Sequence, residues 1–337
     1  MSLRAMPSVG VWRRRERTRL GPIVWLSALV SSVFLSSAAP ASAQEFKAPI
    51  NIPSAASSDS IWAVRVPERD PVAFFGMANF DNAGGGPGNM LYPAPNALGF
   101  LVAVLAHAAV ADSARTAERQ RIQNEADKVL APYLTVIRDL KHRDVLDAAL
   151  RWVEVKGTKQ VLASAESEVG KWLVDVLPVF ALTQDQSAVI LDNVITVRSP
   201  QEPRQIVYQN TVRVAMTPRD HAPSADEWLA DQGALIRVAA SALIAESLNL
   251  AYRDHQANVS NKDSAARTVR YREGNAVRIE RATVLSEACG RIMLRTLRGW
   301  LKSVPAVSAS TEPGTEDCGK SPMSAIASQA TATPKPQ

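Results

Sequence analysis

The sequence predicts an α+β fold in which an antiparallel sheet is covered on one face by long helices. The first observation is residues 205–216, where apolar and polar side chains alternate as in a half-buried strand. The second is residues 224–254, where apolar side chains recur at helical spacing after a capping box formed by Ser224 and Glu227. A strand with one apolar face that leads into a helix with one apolar face predicts a sheet-and-helix layer.

The N-terminal 43 residues have the pattern of a secretory signal peptide. Arginines cluster before an apolar run at residues 21–35, and small residues follow as far as Ala43. Ala41, Ser42 and Ala43 fit the A-x-A cleavage pattern, so the mature chain is predicted to begin at Gln44. The pattern is typical of bacterial envelope proteins and predicts a periplasmic location. The alternative is an uncleaved signal anchor in the inner membrane, because the apolar run approaches the roughly 20 residues that span a bilayer.

The charge balance gives no support to a nucleic-acid partner. The chain has 38 Lys and Arg against 33 Asp and Glu, and residues 1–43 hold six of the arginines and one of the glutamates. The mature chain therefore has 32 basic and 32 acidic residues, and the high pI comes from the signal segment. A membrane contact is expected only if the signal segment stays uncleaved.

Composition divides the mature chain into three parts. Residues 44–60 are rich in Ala, Ser and Pro and predict a flexible lead-in. Residues 61–303 are expected to form a single α+β domain, with a helical sub-region at residues 96–150. Residues 304–337 are of low complexity and are predicted to be a disordered tail.

The first half of the domain begins with a strand and continues with helices. Residues 61–66 alternate as a strand, residues 72–77 are an apolar segment of undefined type, and residues 81–89 have the glycine-rich composition of a loop. A long helix is predicted over residues 96–131, and Pro132 is expected to end or kink it.

The middle of the domain predicts two more helices and then a meander. A second helix is expected over residues 134–150, and residues 159–169 are compatible with a further short helix. Residues 171–183, 187–198 and 205–216 are rich in Val and Ile and are joined by short turns. This spacing predicts three antiparallel strands.

The C-terminal part of the domain predicts a hairpin followed by a helix. Residues 267–272 and 277–281 alternate on either side of a Glu-Gly-Asn turn, which is typical of a β-hairpin. Residues 283–303 carry an apolar stripe at helical spacing, with basic residues late in the segment where they would complement the helix dipole.

The two cysteines, Cys289 and Cys318, leave two possibilities open. A single disulfide is allowed in an oxidising periplasm, but two cysteines cannot frame a whole fold. Alternatively, Cys289 packs as a small apolar residue while Cys318 lies in the tail.

Standard catalytic signatures are missing from the sequence. It contains no G-x-S-x-G turn, no S-x-x-K pair and no H-E-x-x-H zinc motif. Among the four histidines, His107 lies in an apolar run, and His221 and His255 each follow an aspartate and are interpreted as surface turn residues. No catalytic residue, metal site or cofactor is therefore predicted.

The hairpin carries the densest basic cluster of the mature chain, at Arg270, Arg272, Arg278 and Arg281. Arg270 and Arg272 share a strand face, and guanidinium groups bind carboxylates and phosphates well. The cluster is a candidate contact for an anion or a partner. The other interpretation is a solvated face whose arginines pair with Glu273, Glu280 and Glu287.

These patterns together favour a non-catalytic accessory or interaction protein of the bacterial envelope. Its partner would be another envelope protein or a component of the cell envelope. The alternatives are an exported hydrolase with a site that no motif reveals and a periplasmic ligand-binding protein. A ligand-binding protein of the periplasm normally has two βα lobes around a cleft, which differs from the hairpin-rich pattern here.

Overall fold

The computed structural model shows an α+β protein built on a mixed ten-stranded sheet with few helices. All of the residues that it describes belong to one compact unit, Ala48–Gln337. Residues 1–59, which include the predicted signal segment and cleavage site, lie outside the described part of the chain. The described residues are 60–67, 70–80, 113–162, 169–219, 225–257, 265–307, 322–324 and 326.

The sheet has the spatial order β3-β1-β4-β5-β6-β10-β9-β8-β7, with β2 beside β4. β1 and β2 therefore lie along the same edge of β4, next to its two ends. The strands are β1 Ile61–Arg65, β2 Ala73–Gly76, β3 Thr158–Leu162, β4 Trp172–Leu182, β5 Val189–Arg198, β6 Ile206–Ala215, β7 Arg267–Glu273, β8 Ala276–Ala288, β9 Arg291–Thr296 and β10 Leu301–Pro305.

The predicted antiparallel meander is confirmed as β4, β5 and β6. These strands are rich in β-branched residues, which fit a pleated and largely buried surface. The segment at residues 72–77, whose type the sequence left undefined, contains β2. Residues 159–169 are not a helix, because residues 158–162 form β3, and residues 163–168 lie outside the described residues.

The sheet is mixed, and the prediction of a purely antiparallel sheet is wrong. β1 runs parallel to both β3 and β4, β2 runs parallel to β4, and β10 runs parallel to β6. Parallel neighbours require a long crossover connection between them. Here a long stretch of chain lies between the two strands of each parallel pair. No local turn pattern therefore indicates which strands pair.

The helices of the described residues are mostly short. Of the helix predicted over residues 96–131, the described residues form α1 and then a 3-10 segment that contains Pro132. The helix predicted over residues 134–150 is two shorter helices, α2 and α3. Proline lacks the N–H that would continue the α-helical ladder. The elements are α1 Ser113–Ala126, a 3-10 segment Asp127–Tyr133, α2 Leu134–Arg138, α3 His142–Ala149, a 3-10 turn Leu150–Trp152 and α4 Ala225–Ala257.

The long helix α4 supplies most of the helical side of the core. Trp228, Ala239 and Leu243 are fully buried, and α4 packs against β5 and β6. Residues 230–233 leave the helical conformation, so α4 is two helices across a kink instead of the single helix predicted. Gly233 has φ +75° at this kink and lies against Val136. In length and apolarity α4 would suffice to cross a membrane, and 83% of its apolar window is buried inside the protein.

Residues 283–303 form strands, so the predicted C-terminal helix is wrong. They contribute the end of β8, all of β9 and the start of β10. Cys289 and Gly290 both have positive φ in the turn between β8 and β9, and Gly299 has φ +86° in the turn before β10. Two left-handed turns in so short a segment are incompatible with one helix, whatever the spacing of its apolar residues.

The last four strands curl so that β7 returns towards β10, where Tyr271 and Ala306 form an isolated antiparallel bridge. A second, smaller core fills this roll, apart from the core beneath α4. Its buried members are Ile190, Ala215, Val269, Tyr271, Ala282, Ile292, Leu294 and Val304.

Part of the predicted disordered tail is ordered. Val304 and Pro305 complete β10, and Met323 and Ile326 are buried in the core beneath α4. These two large apolar residues lie three positions apart, the spacing of one helical face, within a segment of otherwise small and polar residues. Of the segment 308–337, only residues 322–324 and 326 belong to the described part of the chain.

Candidate interaction surface

The β7–β8 hairpin brings three of the four predicted arginines onto one face. In the register of the two strands, Arg272 lies opposite Val277 and Arg270 lies opposite Ile279. Thr268 pairs with Arg281 farther along the same two strands. Directly opposite residues lie on the same face of a sheet, so basic and aliphatic side chains are interleaved here. We call this surface the outer face and define it by Arg270, Arg272, Arg281, Val277 and Ile279.

The outer face combines unpaired positive charge with exposed apolar surface. Ile279 is 66% exposed and Val277 is 43% exposed. Arg270 and Arg281 are exposed and Arg272 is partly so. Within the described part of the chain, none of these three guanidinium groups has an ion pair or a hydrogen bond. Arginines beside exposed aliphatic side chains offer a partner both charged and apolar contacts.

Arg278 belongs to the opposite side of the hairpin, which corrects its grouping with the other three. It pairs with Tyr271 in the strand register, and its Nε lies 3.3 Å from Glu273 Oε2. Glu273 is almost fully buried and also accepts a hydrogen bond from Arg213 Nη1 at 3.1 Å. Arg278 therefore takes part in an internal ion-pair network, and its guanidinium is not free for partner contact.

Arg213 connects the hairpin to the central meander. Its Nε and Nη2 each donate to Asp192 at 2.6 Å, so the guanidinium binds that carboxylate in bidentate fashion. Burial by itself would lower the pKa of Arg213, but the charges of Asp192 and Glu273 raise it well above its ordinary value. The positive charge is therefore permanent and compensated on both sides.

A second polar group fixes the hairpin to β10. Lys302 Nζ donates to Tyr271 Oη at 2.9 Å and to Glu280 Oε2 at 2.6 Å, and Tyr271 Oη donates to the same Glu280 oxygen at 2.9 Å. Burial, together with the charges of Glu273 and Glu280, raises the pKa of Tyr271 far above its usual range. Because the inner side of the hairpin is held by these bonds, the outer face is presented on a rigid support.

The interpretation of the arginines as partners of neighbouring glutamates holds only for Arg278. Glu280 is bound by Lys302, and Glu287 pairs with Arg267. The sequence contained the signal needed to separate Arg278 from the others, because strand alternation places residues 277 and 278 on opposite faces. The partners Arg213 and Lys302 are distant in sequence, and no local pattern indicated them.

A buried Arg–Ser–Glu cluster beneath α4 was also invisible in the sequence. Arg291 Nε donates to Ser303 Oγ at 3.1 Å, and Ser303 Oγ donates to Glu246 Oε1 at 2.8 Å. Burial lowers the pKa of Arg291. Ser303 is fully buried, and its hydroxyl is engaged on both sides. We interpret the cluster as a structural link between α4, β9 and β10.

The histidines of the described residues have structural surroundings. His142 is buried and its Nδ1 lies 2.9 Å from Asp70 Oδ1. His255 is half-buried in the last turn of α4, edge-on to the Tyr208 ring, and is not the surface turn residue that the sequence predicted. His107 and His221 lie outside the described residues. No group of three or more His, Cys, Asp or Glu side chains suited to a metal ion occurs among the residues described.

The remaining predicted sites are only partly covered by the described residues. Cys289 is disulfide-bonded. Cys318, the other cysteine of the chain, lies outside the described residues, so the bridge between these two cysteines stays a prediction. Ala43 and Gln44, the predicted cleavage residues, also lie outside the described part.

Comparison of the chain with protein-family models, with curated proteins and with solved structures gave no match.

Proposed function

We propose that the protein is an exported, non-catalytic interaction protein of the bacterial envelope that binds a negatively charged envelope component through the outer face. Its mature chain begins at Gln44 and resides in the periplasm. The observation that carries the proposal is three arginines that form no ion pair with any described residue, interleaved with exposed Val277 and Ile279. The signal pattern of residues 1–43 supports the location.

Both components of the outer face contribute to binding. Each exposed guanidinium that gains a carboxylate or phosphate partner contributes about 0.2–1 kcal/mol. Fully burying an aliphatic side chain contributes about 1.5–3 kcal/mol. A partner that covers Ile279 also removes water from the neighbouring arginines and strengthens their ion pairs. A modest and salt-sensitive affinity follows.

A protective role explains the outer face less well. Charged side chains on an edge strand can prevent edge-to-edge aggregation, and β7 ends the spatial order of the sheet. Such protection needs charge alone, and it does not account for an isoleucine that is 66% exposed between the arginines.

The test replaces Arg270, Arg272 and Arg281 together by Glu and measures how much exported protein stays with the envelope fraction at low salt. We expect retention to fall by about tenfold to a hundredfold, since three ion pairs become repulsive. The matched control reverses three exposed basic residues elsewhere, Arg138, Arg151 and Lys156, and should be retained like the wild type.

Two further measurements sharpen the test. Raised salt should release the wild-type protein and have little effect on the variant, because screening acts on the same ion pairs. Thermal melting should show that both triple variants are folded, since the exchanged side chains form no ion pair among the described residues. Equal retention of wild type and outer-face variant would contradict the proposal.

A further inference from the structure

A second arginine cluster lies at the end of β1 and β5, on the sheet face opposite α4. Arg65 is the last residue of β1 and is in register with Asp175 of β4, while Arg198 is the last residue of β5. Asp175 Oδ1 accepts a hydrogen bond from Arg65 Nε, and Asp175 Oδ2 accepts one from Arg198 Nε at 3.0 Å. One carboxylate thus holds two guanidinium groups.

The connection between β5 and β6 completes the cluster with a third arginine. Arg198 Nη1 donates to the backbone oxygen of Arg204 at 3.4 Å, which joins the connection to the paired arginines. Backbone bonds from Ser199 to Gln205 and from Gln205 to Glu202 define the shape of the loop. The Arg204 side chain itself is exposed.

These residues line one side of an open, solvent-accessible concave space of about 630 Å³, formed by Arg65, Arg198, Glu202, Pro203 and Arg204. That volume falls within the range of small-molecule sites, about 300–1,000 Å³. Among the described residues, the guanidinium groups of Arg198 and Arg204 line this space beside Arg65 and Glu202, and Asp175 accepts hydrogen bonds from Arg65 and Arg198. Asp175, Arg65 and Arg198 are partly buried, with side-chain exposures of 20%, 34% and 25%. Ion pairs are stronger there than on an open surface.

We propose that this concave space is a binding site for a small oxyanion, a phosphate or carboxylate group, separate from the outer face. Asp175 holds Arg198 through Nε and so orients its terminal N–H groups before the ligand arrives. A planar guanidinium fork matches the two oxygens of a carboxylate or phosphate. Arg204 closes on the ligand from the rim, and its exposed side chain has no role in the packing of the sheet.

The proposal is tested by calorimetric titration of the exported protein with inorganic phosphate, with succinate and with uncharged succinamide. We expect phosphate or succinate to bind and succinamide not to bind. Which of the two anions binds more tightly identifies the source of the oxyanion. Absence of heat with both anions, in protein shown to be folded, would overturn the proposal.

Variants locate the binding. Arg198→Lys keeps the charge but removes the fork, and Arg204→Gln removes the rim cation. Each should weaken anion binding by about tenfold, the loss expected for hydrogen bonds to a charged group. Because Arg198 also anchors the loop, Arg204→Gln is the variant whose melting temperature should stay unchanged. If the variant with both Arg198→Lys and Arg204→Gln binds the anion with unchanged affinity, the proposed site is wrong.

The two sites serve as controls for each other. The outer-face triple variant should bind the small anion as tightly as the wild type, and Arg204→Gln should remain in the envelope fraction. Loss of anion binding in the outer-face variant would mean that the anion binds to the outer face, which would contradict a separate site.

Discussion

Gly76 occupies a position that no other residue can take without movement of the backbone. A Cβ atom built on Gly76 would lie 1.9 Å from the carbonyl oxygen of Ala126, at the end of α1. The contact is held closed by two hydrogen bonds: Gly76 N donates to Asp127 Oδ1 at 2.7 Å, and Gln123 Nε2 donates to Gly76 O at 3.0 Å. The close approach of β2 to the helix therefore depends on the missing side chain.

We expect Gly76→Ala to lower the free energy of unfolding by about 1–3 kcal/mol, the usual cost of overpacking. Chemical denaturation measures the change. Gly170→Asn is the control. Apart from its two chain neighbours, no described residue has an atom within 4 Å of the point where a Cβ on Gly170 would stand, and asparagine tolerates the left-handed backbone found there. Equal stability of Gly76→Ala and wild type would show that β2 does not approach α1 this closely.

Single residues were predictable where alternation alone determines the face. Arg270 and Arg272 share a face because they are two positions apart in a strand, and the structure places them so. The burial of Glu273 was not predictable, because its compensating charge comes from Arg213 in another strand. A charged residue in a local pattern is expected to face water unless its distant partner is known.

At the scale of elements, α4 is the one on which most of the core depends. Leu243 is fully buried in its centre, against the central strands. A carboxylate at this position would be buried without a partner, which costs several kcal/mol and exceeds the stability that a domain can normally spare.

We expect Leu243→Asp to prevent folding, as judged by loss of the cooperative melting transition. Gln256→Asp places the same charge at an exposed position of the same helix and should melt close to the wild type. If Leu243→Asp melts like the wild type, α4 is not part of the core.

Elements were predicted well where a turn and an alternating pattern occur together. The β7–β8 hairpin and the β4–β5–β6 meander satisfy both conditions and were found. Residues 283–303 have apolar side chains at helical spacing, but they also contain two glycines at positive φ. The two glycines were better evidence against a helix than the apolar spacing was for one. A left-handed backbone conformation is sterically incompatible with a right-handed helix, whereas helical spacing of apolar residues also occurs by chance.

At the scale of the whole molecule, the location of the protein is the first property to establish. The signal pattern predicts that protein recovered from native cells begins at Gln44 and is not integral to the membrane. Intact-mass measurement, with separation of the periplasmic and membrane fractions, checks both points. A full-length mass in a fraction that high salt cannot extract would instead mean that residues 21–39 anchor the chain.

The topology of the sheet was the part least accessible from sequence. β10 lies between β6 and β9 and runs parallel to β6, although residues 216–300 separate the two strands in the chain. The signals that predict strands are local, and they contain no information about which distant strand lies alongside. The concave site at Arg65 and Arg198 was missed for the same reason, because three strand ends must meet to form it.

The insertion of β10 beside β6 also sets an order of events during biosynthesis. The ribosome completes β6 at Ala215, and its neighbour begins only at Leu301. During that interval the edge of β6 has unpaired backbone groups, which are a template for pairing with other chains. An incomplete chain with such an edge is prone to aggregation. Truncation before residue 301 would therefore leave this protein with a permanently open sheet.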